Sequence, residues 1–274
     1  MSQPSVSRCV NEVVNALNQP AIFNNWVKFP GNLEELNTVR RSFFDKYNFP
    51  GIIGCIDCTH VAIFPPRIVD PNYPEHLYVN RKGYHSINVQ LVCDSDLRIL
   101  NVNARYPGST NDAFIWGNSN LNTTLQQLHA NGHTDYFLLG DSGYPLRTCL
   151  LTLLEEEPAE GSPEYRYNVA HKRIRSTIER CNGVLKTRFR CLLKHRVLHY
   201  SLQTACQIIN ACVVLHNLCI HYGIGEDLED MENVVDDAPN YNEVGLDVVA
   251  QRVNPELAAG RRVRNRLIQT VFRN

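Results

Sequence analysis

Three acidic residues far apart in the sequence each lie in a segment suited to holding a side chain still. Asp57 sits in Gly54-Cys55-Ile56-Asp57-Cys58-Thr59-His60, Asp141 in Leu138-Leu139-Gly140-Asp141-Ser142-Gly143-Tyr144, and Glu179 in Ile178-Glu179-Arg180-Cys181-Asn182-Gly183. Both Asp residues close apolar runs of strand character, whereas Glu179 belongs to an amphipathic helix crowded with Arg and Lys. Two unpaired carboxylates about 4 Å apart repel by roughly 4 kcal/mol at an effective dielectric near 20, so a converging set of three needs a counter-charge. A divalent cation supplies one, and hard oxygen ligands select Mg²⁺ or Mn²⁺ over zinc. Two such ions about 3.5–4 Å apart are the apparatus of phosphoryl transfer, one activating a water or 3′-hydroxyl and the other stabilising the leaving oxygen. In that arrangement Asp57 bridges both ions, and Asp141 and Glu179 each complete one.

Around Glu179, Ile174, Ile178, Cys181 and Leu185 mark a buried stripe, and Arg175, Glu179, Asn182 and Lys186 fall on an adjacent face. That face offers one carboxylate flanked by phosphate-binding groups. The plainer alternative is an Arg175–Glu179 surface pair of about 0.3–0.5 kcal/mol. Asp112 follows the turn Pro107-Gly108-Ser109-Thr110-Asn111 and reads equally as a helix cap or a further ligand. Asp94, Asp96 and Asp135 read as turn acids. Cys55 and Cys58 form the only C-x-x-C, with no second pair to complete a structural zinc site. His216, Cys219 and His221 read as core and surface residues of a helix.

Charge is segregated along the 274 residues despite a net charge of -1. Ten Lys or Arg fall between Arg166 and Arg196 against the single acid Glu179, and nine acids with no base run from Glu226 to Asp247. The basic block is the footprint expected for a polyanion such as DNA, with a solvated helical face as the bland alternative. There is no apolar N-terminal run of signal-peptide type, and no stretch is expected to reach the roughly 18 apolar residues of a membrane span. The ten cysteines are therefore expected as reduced thiols.

The elements that must position the acids read as mixed α/β. Val6, Val10, Val13, Val14 and Leu17 predict a helix after Pro4 that Pro20 ends, with Ser5, Ser7, Arg8, Asn11 and Asn15 on its other face. That polar face is of the kind a recognition helix presents, although an ordinary surface helix explains it as well. A helix over Leu33 to Tyr47 and the entrance Phe49-Pro50-Gly51 lead to a strand from Ile52 to Ile63. His85 to Cys93 and Leu97 to Tyr106 form an antiparallel hairpin about Asp94-Ser95-Asp96. A helix opens near Asp112, a buried strand runs from Tyr136 to Gly140, and helices follow at about Ala170 to Arg188 and Leu202 to His221. This β-β-β-α-β-α order pairs strands locally before a helical crossover. Beyond residue 223 the acidic stretch and Arg261-Arg262-Val263-Arg264-Asn265-Arg266 read as a partly disordered tail.

At these residues the chain resembles the DDE endonuclease superfamily, and within it the PIF/Harbinger transposases and the animal nucleases derived from them. The resemblance rests on five stretches in family order over about residues 50–222: residues 54–60, Asn80-Arg81-Lys82-Gly83-Tyr84-His85-Ser86-Ile87-Asn88-Val89-Gln90, residues 107–112, Gly140-Asp141-Ser142-Gly143-Tyr144 and Ile178-Glu179-Arg180. It implies an RNase H-like mixed sheet flanked by helices, with Asp57 on the first strand, Asp141 after the fourth and Glu179 on the later helix. It also implies cleavage of DNA phosphodiesters with Mg²⁺ or Mn²⁺ on Asp57, Asp141 and Glu179, and makes Asp112, which matches an acidic position of the family, a fourth ligand. Arg81, Lys82, Arg175, Arg180 and Lys186 are the expected DNA contacts. Residues 1–48 are then a helical segment, the remnant of a helix-turn-helix, followed by a catalytic domain over 49–222 and the tail over 223–274. A separate Myb-like DNA-binding partner is expected, and the protein itself is expected in the nucleus and secondarily in the cytoplasm. The departure is Cys58, where the family usually has Gly, which narrows access to the metals without removing a ligand.

Overall fold

The computed structural model describes residues 2–66, 73–225 and 254–273. Its centre is strand β1, Ile52–Ala62, whose apolar first half is buried on both faces. β1 pairs antiparallel with β2, Ser86–Cys93, which pairs antiparallel with β3, Ile99–Pro107. On its other side β1 runs parallel to β4, Phe137–Leu139, which runs parallel to β5, Leu150–Leu151. The sheet order is therefore β3-β2-β1-β4-β5, a mixed five-stranded sheet with the hairpin on one side and the crossover strands on the other. β5 has two residues and was invisible in the sequence, being too short to show any period.

Eight helices flank this sheet among the described residues: α1 Gln3–Leu17, α2 Pro20–Trp26, α3 Leu33–Tyr47, α4 Asp112–Gly117, α5 Asn120–Ala130, α6 Pro163–Arg188, α7 Leu202–His221 and α8 Pro255–Val271. The larger core lies between one sheet face and α6 and α7, where the expected stripe of Ile174, Ile178, Cys181 and Leu185 is buried. The smaller core holds Ile53, Ile56, Val92, Leu138, Trp116 and Leu125, with Leu36 of α3. α6 starts earlier than its apolar period suggested, because Ser162 caps it by accepting from the Tyr165 amide and Pro163 pre-sets its first turn.

Four expectations are corrected. The apolar stripe of α1 is not a buried one: Val14 packs in the core, but Val6, Val10 and Val13 are exposed. α7 is long and apolar enough to cross a membrane by length and composition, against the expectation that no stretch would be, yet Ala205, Ile209, Val213 and Val214 lie in the protein core. β2 alternates in sequence but is buried along its whole length, so Asn88 and Gln90 are interior polar groups. The Arg-rich segment at 261–266 is helical within α8, where Arg264 is buried and donates to the Leu153 carbonyl at 2.8 Å, and Ile268 joins the core. The acidic run from Glu226 to Asp247 lies outside the described residues.

Two polar side chains of α7 fix the turn end of the hairpin. His216 of α7 bonds the Leu97 carbonyl at 2.8 Å in the β2–β3 turn. Asn217 accepts from the Ile99 amide at 2.8 Å and donates to the Ile99 carbonyl at 2.7 Å, occupying both groups that edge strand β3 would otherwise leave unpaired. At the far end of β3, Gly108 passes so close to its neighbours that a Cβ there would stand 2.6 Å from the Tyr78 carbonyl oxygen and 2.8 Å from that of Ser86. This approach turns the chain into α4 and sets the position of Asp112. Gly108→Ala is therefore expected to destabilise the fold by about 1–3 kcal/mol in urea unfolding, the usual cost of overpacking. Gly117→Ala, where a Cβ meets nothing within 4 Å at the last residue of α4, serves as the control and should stabilise by about 0.4–1 kcal/mol by restricting the unfolded chain.

Candidate functional site

Asp57 leaves β1 opposite Leu91 of β2 and turns toward α6, as Cys55 two residues earlier does with its thiol on the Ile174 carbonyl. Its Oδ1 accepts from the Cys58 amide at 2.9 Å, and its Oδ2 lies 3.4 Å from Asn182 Nδ2 and 4.0 Å from Arg175 Nη1. Asp141 stands just past the end of β4. Its turn is fastened by β5 through the Gly140 amide on the Leu151 carbonyl at 3.0 Å, and its Oδ1 accepts from the Gly143 amide at 2.9 Å.

Asp112 is not the cap of α4. Asn111 takes that role, accepting from the Phe114 amide at 2.7 Å, and so leaves the Asp112 carboxylate for Asn88 Nδ2 at 3.2 Å. Asp112 and Asp141 meet across Gly143, where a Cβ would stand 3.2 Å from Asp112 Oδ2 and 3.1 Å from Asp141 Oδ1. Only a residue without a side chain leaves that space clear.

The three Asp carboxylates act on one another. Burial first, then the charge of Asp141, pushes Asp57 up to about 8, with Arg175 opposing and Asp112 adding to the rise. Burial and Asp141 likewise raise Asp112. Buried amide oxygens of Asn88 and Asn182, whose nitrogens reach Asp112 and Asp57, have no partner among the described residues, nor does that of Gln90 beside Tyr144. An oxygen-rich, mutually repelling set of this kind fits a hard divalent cation, which would remove the repulsion. Glu179 stands one step out: half-exposed on α6, it is ion-paired with Arg175, whose guanidinium also reaches Asp57. Among the described residues no three His, Cys, Asp or Glu side chains form a ready coordination shell. The acids share one electrostatic field, and Glu179 reaches it through Arg175.

The expected DNA contacts divide. Arg81, Lys82 and Arg180 are exposed. Arg175 and Lys186 are buried, at 5% and 8% exposure, and this corrects the expectation of a phosphate-facing row on α6. The helix leans its Arg175-Asn182-Lys186 face on β1, so Arg175 serves the acids and Lys186 Nζ donates to the His60 carbonyl at 3.0 Å. Arg81 and Lys82 ride a closed turn in which Asn80 Oδ1 accepts from the Lys82 amide at 2.9 Å and Gly83 supplies a φ of 77°.

Several residues beside the acids had been quoted only as parts of motifs. Burial, then Lys186, Arg81 and Lys82, lowers His60 to about 4, which keeps a neutral imidazole among three cations. Lys194 lies 5.2 Å over the ring of Tyr84, whose edge contacts His60. Cys58 turns to the other sheet face, 3.2 Å from the Tyr144 hydroxyl. Cys55 and Cys58 thus point away from each other and cannot share an ion. Asn88 and Gln90 had a faint signal, amides at alternate positions of an otherwise apolar strand.

The model of the DDE superfamily endonuclease family matches residues 56–217. The chain is 38% identical over 263 residues to the Homo sapiens protein named "Putative nuclease HARBI1", covering 94% of this chain and 71% of that protein. The Bos taurus protein of the same name gives the same identity and coverage. "Protein ALP1-like" of Arabidopsis thaliana is 28% identical over 250 residues, 87% of this chain and 57% of its own. No solved structure matches the chain.

A carboxyl group whose pKa is raised on folding favours the folded state most at low pH. Its contribution is complete below the unfolded value near 3.8 and is lost as pH climbs through about 8. In EDTA, Asp57→Asn should therefore melt a few degrees above the parent protein at pH 8, with the difference shrinking toward pH 4. Scanning calorimetry across that range checks the sign.

Proposed function

The chain belongs to the DDE superfamily of endonucleases, in its Harbinger transposase-derived branch, and from this membership and the site we propose that it cuts DNA phosphodiester bonds with divalent cations held by Asp57, Asp141 and Glu179. Asp112 serves as a fourth ligand. The observation that carries the reading is the set of Asp57, Asp112 and Asp141, three half-buried carboxylates brought together where two sheet strands and a helix start meet, with the charge of Asp141 raising the pKa of the other two. An RNase H-like fold is part of the proposal, supported by an acid on the central strand, an antiparallel hairpin after it, and a second acid at the end of a parallel strand.

Mg²⁺ or Mn²⁺, when bound, supplies the positive charge that activates the attacking oxygen and stabilises the leaving one. The chain's own groups prepare that site. The Cys58 amide and Asn182 orient the Asp57 carboxylate, and the Gly143 amide orients Asp141. The DNA backbone approaches from the side of Arg81 and Lys82, with Arg180 exposed on α6, while Lys186 adds positive potential to that wall and His60 beside it stays neutral. Tyr84, with Lys194 on its ring, offers an aromatic surface beside the phosphate path.

We further propose residues 1–48 as the helix-turn-helix remnant and 49–222 as the catalytic unit, against whose β5 and α6 the helix α8 packs. A Myb-like partner delivers DNA specificity, and the protein acts in the nucleus and also the cytoplasm. One observation favours a second reading, a DNA- or protein-binding module that cleaves nothing: the pairing of Glu179 with Arg175, which engages one of the three acids.

Plasmid nicking separates these readings. With Mn²⁺ or Mg²⁺ the parent protein should convert supercoiled to open circular DNA, and Asp57→Asn should lower the rate by about two orders of magnitude or more, the scale of losing a charge-stabilising group. Equal rates, or DNA binding in EDTA with no cleavage under either metal, would establish the binding module. For the DNA path, Arg81→Gln should weaken binding in EDTA at every sequence tested. It should also reduce the slope of log affinity against log salt by about one, as loss of a phosphate contact requires.

A further inference from the structure

Arg175 is the guanidinium that acts on Asp57 among the described residues, and its place is unusual. Its residue is 5% exposed, on the buried side of α6, four residues before Glu179. One end of the fork is ion-paired with Glu179 Oε1 and the other lies 4.0 Å from Asp57 Oδ2. A buried Arg between two carboxylates is costly to leave unpaired and geometrically able to serve both at once. The same two carboxylates are those a shared divalent ion would join.

We propose that Arg175 is a stand-in cation, a positioning residue that holds Asp57 and Glu179 in register and is displaced from Glu179 when a divalent ion enters between them. This inference rests on the metal-site reading above and adds to it a built-in competitor. Asp141 and Asp112 add negative charge around Asp57, and Arg175, 4.0 Å from its Oδ2, is the charge that opposes them. Glu179 is the mobile partner of the exchange, since its carboxylate is 42% exposed and can swing on a solvent-facing side chain, whereas the Asp57 side chain is 18% exposed and held by a backbone amide. Asn182, one turn past Glu179, keeps a hold on Asp57 Oδ2 while the exchange occurs.

A purely structural arginine and a stand-in cation make opposite forecasts for metal affinity. If Arg175 only braces the helix, removing it loosens the site and Mn²⁺ binds as before or more weakly. If it competes with the ion, removing it leaves the carboxylates more negative, and Mn²⁺ should bind roughly tenfold more tightly, a cautious fraction of one unit charge at this separation. The experiment is Mn²⁺ titration by isothermal calorimetry on the full chain without DNA, for wild type, R175Q, R175K and D57N. Melting in EDTA and in saturating Mn²⁺ is measured beside it.

R175Q is expected to melt lower than wild type in EDTA, to regain most of that loss in Mn²⁺, and to bind Mn²⁺ more tightly. R175K keeps the charge but cannot span two carboxylates, and should fall between. An R175Q affinity equal to or weaker than wild type overturns the proposal. Should R175Q not fold, R175K decides alone, an affinity above wild type supporting the proposal and one at or below it refuting it. If wild type shows no Mn²⁺ binding that D57N abolishes, the metal-site reading itself falls and the inference with it. If that binding is present and R175Q does not tighten it, only the inference falls.

Discussion

Like charges held within reach of each other in a half-buried setting are the constraint on which the rest of this structure depends. Asp57, Asp112 and Asp141 come from three elements, and each is prevented from relaxing away. β1 holds Asp57 because its first half is walled in on both faces by apolar neighbours. The two-residue β5 holds Asp141 by pairing with the strand before it, and Asn111 holds Asp112 by taking over the cap that would have occupied its carboxylate. The contribution of these supports is to hold the acids together against mutual repulsion, which for two ionised carboxylates 4 Å apart in an effective dielectric near 20 is about 4 kcal/mol.

Arg175 and Lys186 show how much the direction of a helix face decides. Both are basic residues of α6 and both are buried, yet Arg175 lies on carboxylates and Lys186 on a backbone carbonyl. The outward cations, Arg81 and Lys82, come instead from a turn closed by Asn80 and Gly83. The result is a division of labour by burial: interior positive charge balances the site, and exterior positive charge remains for a polyanion.

The long, strongly periodic elements were legible in the sequence, and so were the acids they carry. The apolar run before Asp57, the alternating hairpin, the stripe at Ile174, Ile178, Cys181 and Leu185, and the helix from Leu202 to His221 all stand where local pattern placed them. What was not legible depended on neighbours distant in sequence. β5 exists because β4 offers it an edge, and α8 carries an Arg-rich surface sequence but is fixed by Arg264 on the Leu153 carbonyl. Whether Arg175 faced solvent or Asp57 could not be read from spacing, because three- and four-residue intervals describe a face but not what lies against it. Asn88 and Gln90 were hidden for a related reason: alternation marks the two faces of a strand, and a strand covered on both looks the same as one covered on a single side.

The bond pair between Asn217 and Ile99 bears on the behaviour of many molecules together. β3 is the outer strand of the hairpin, and its first residues are apolar and buried. By engaging both the amide and the carbonyl of Ile99, a single side chain from α7 shuts the start of that edge to strand addition by another copy. Colloidal behaviour at high concentration is therefore tied to one amide group far from the acids, and a change there would be felt first as self-association.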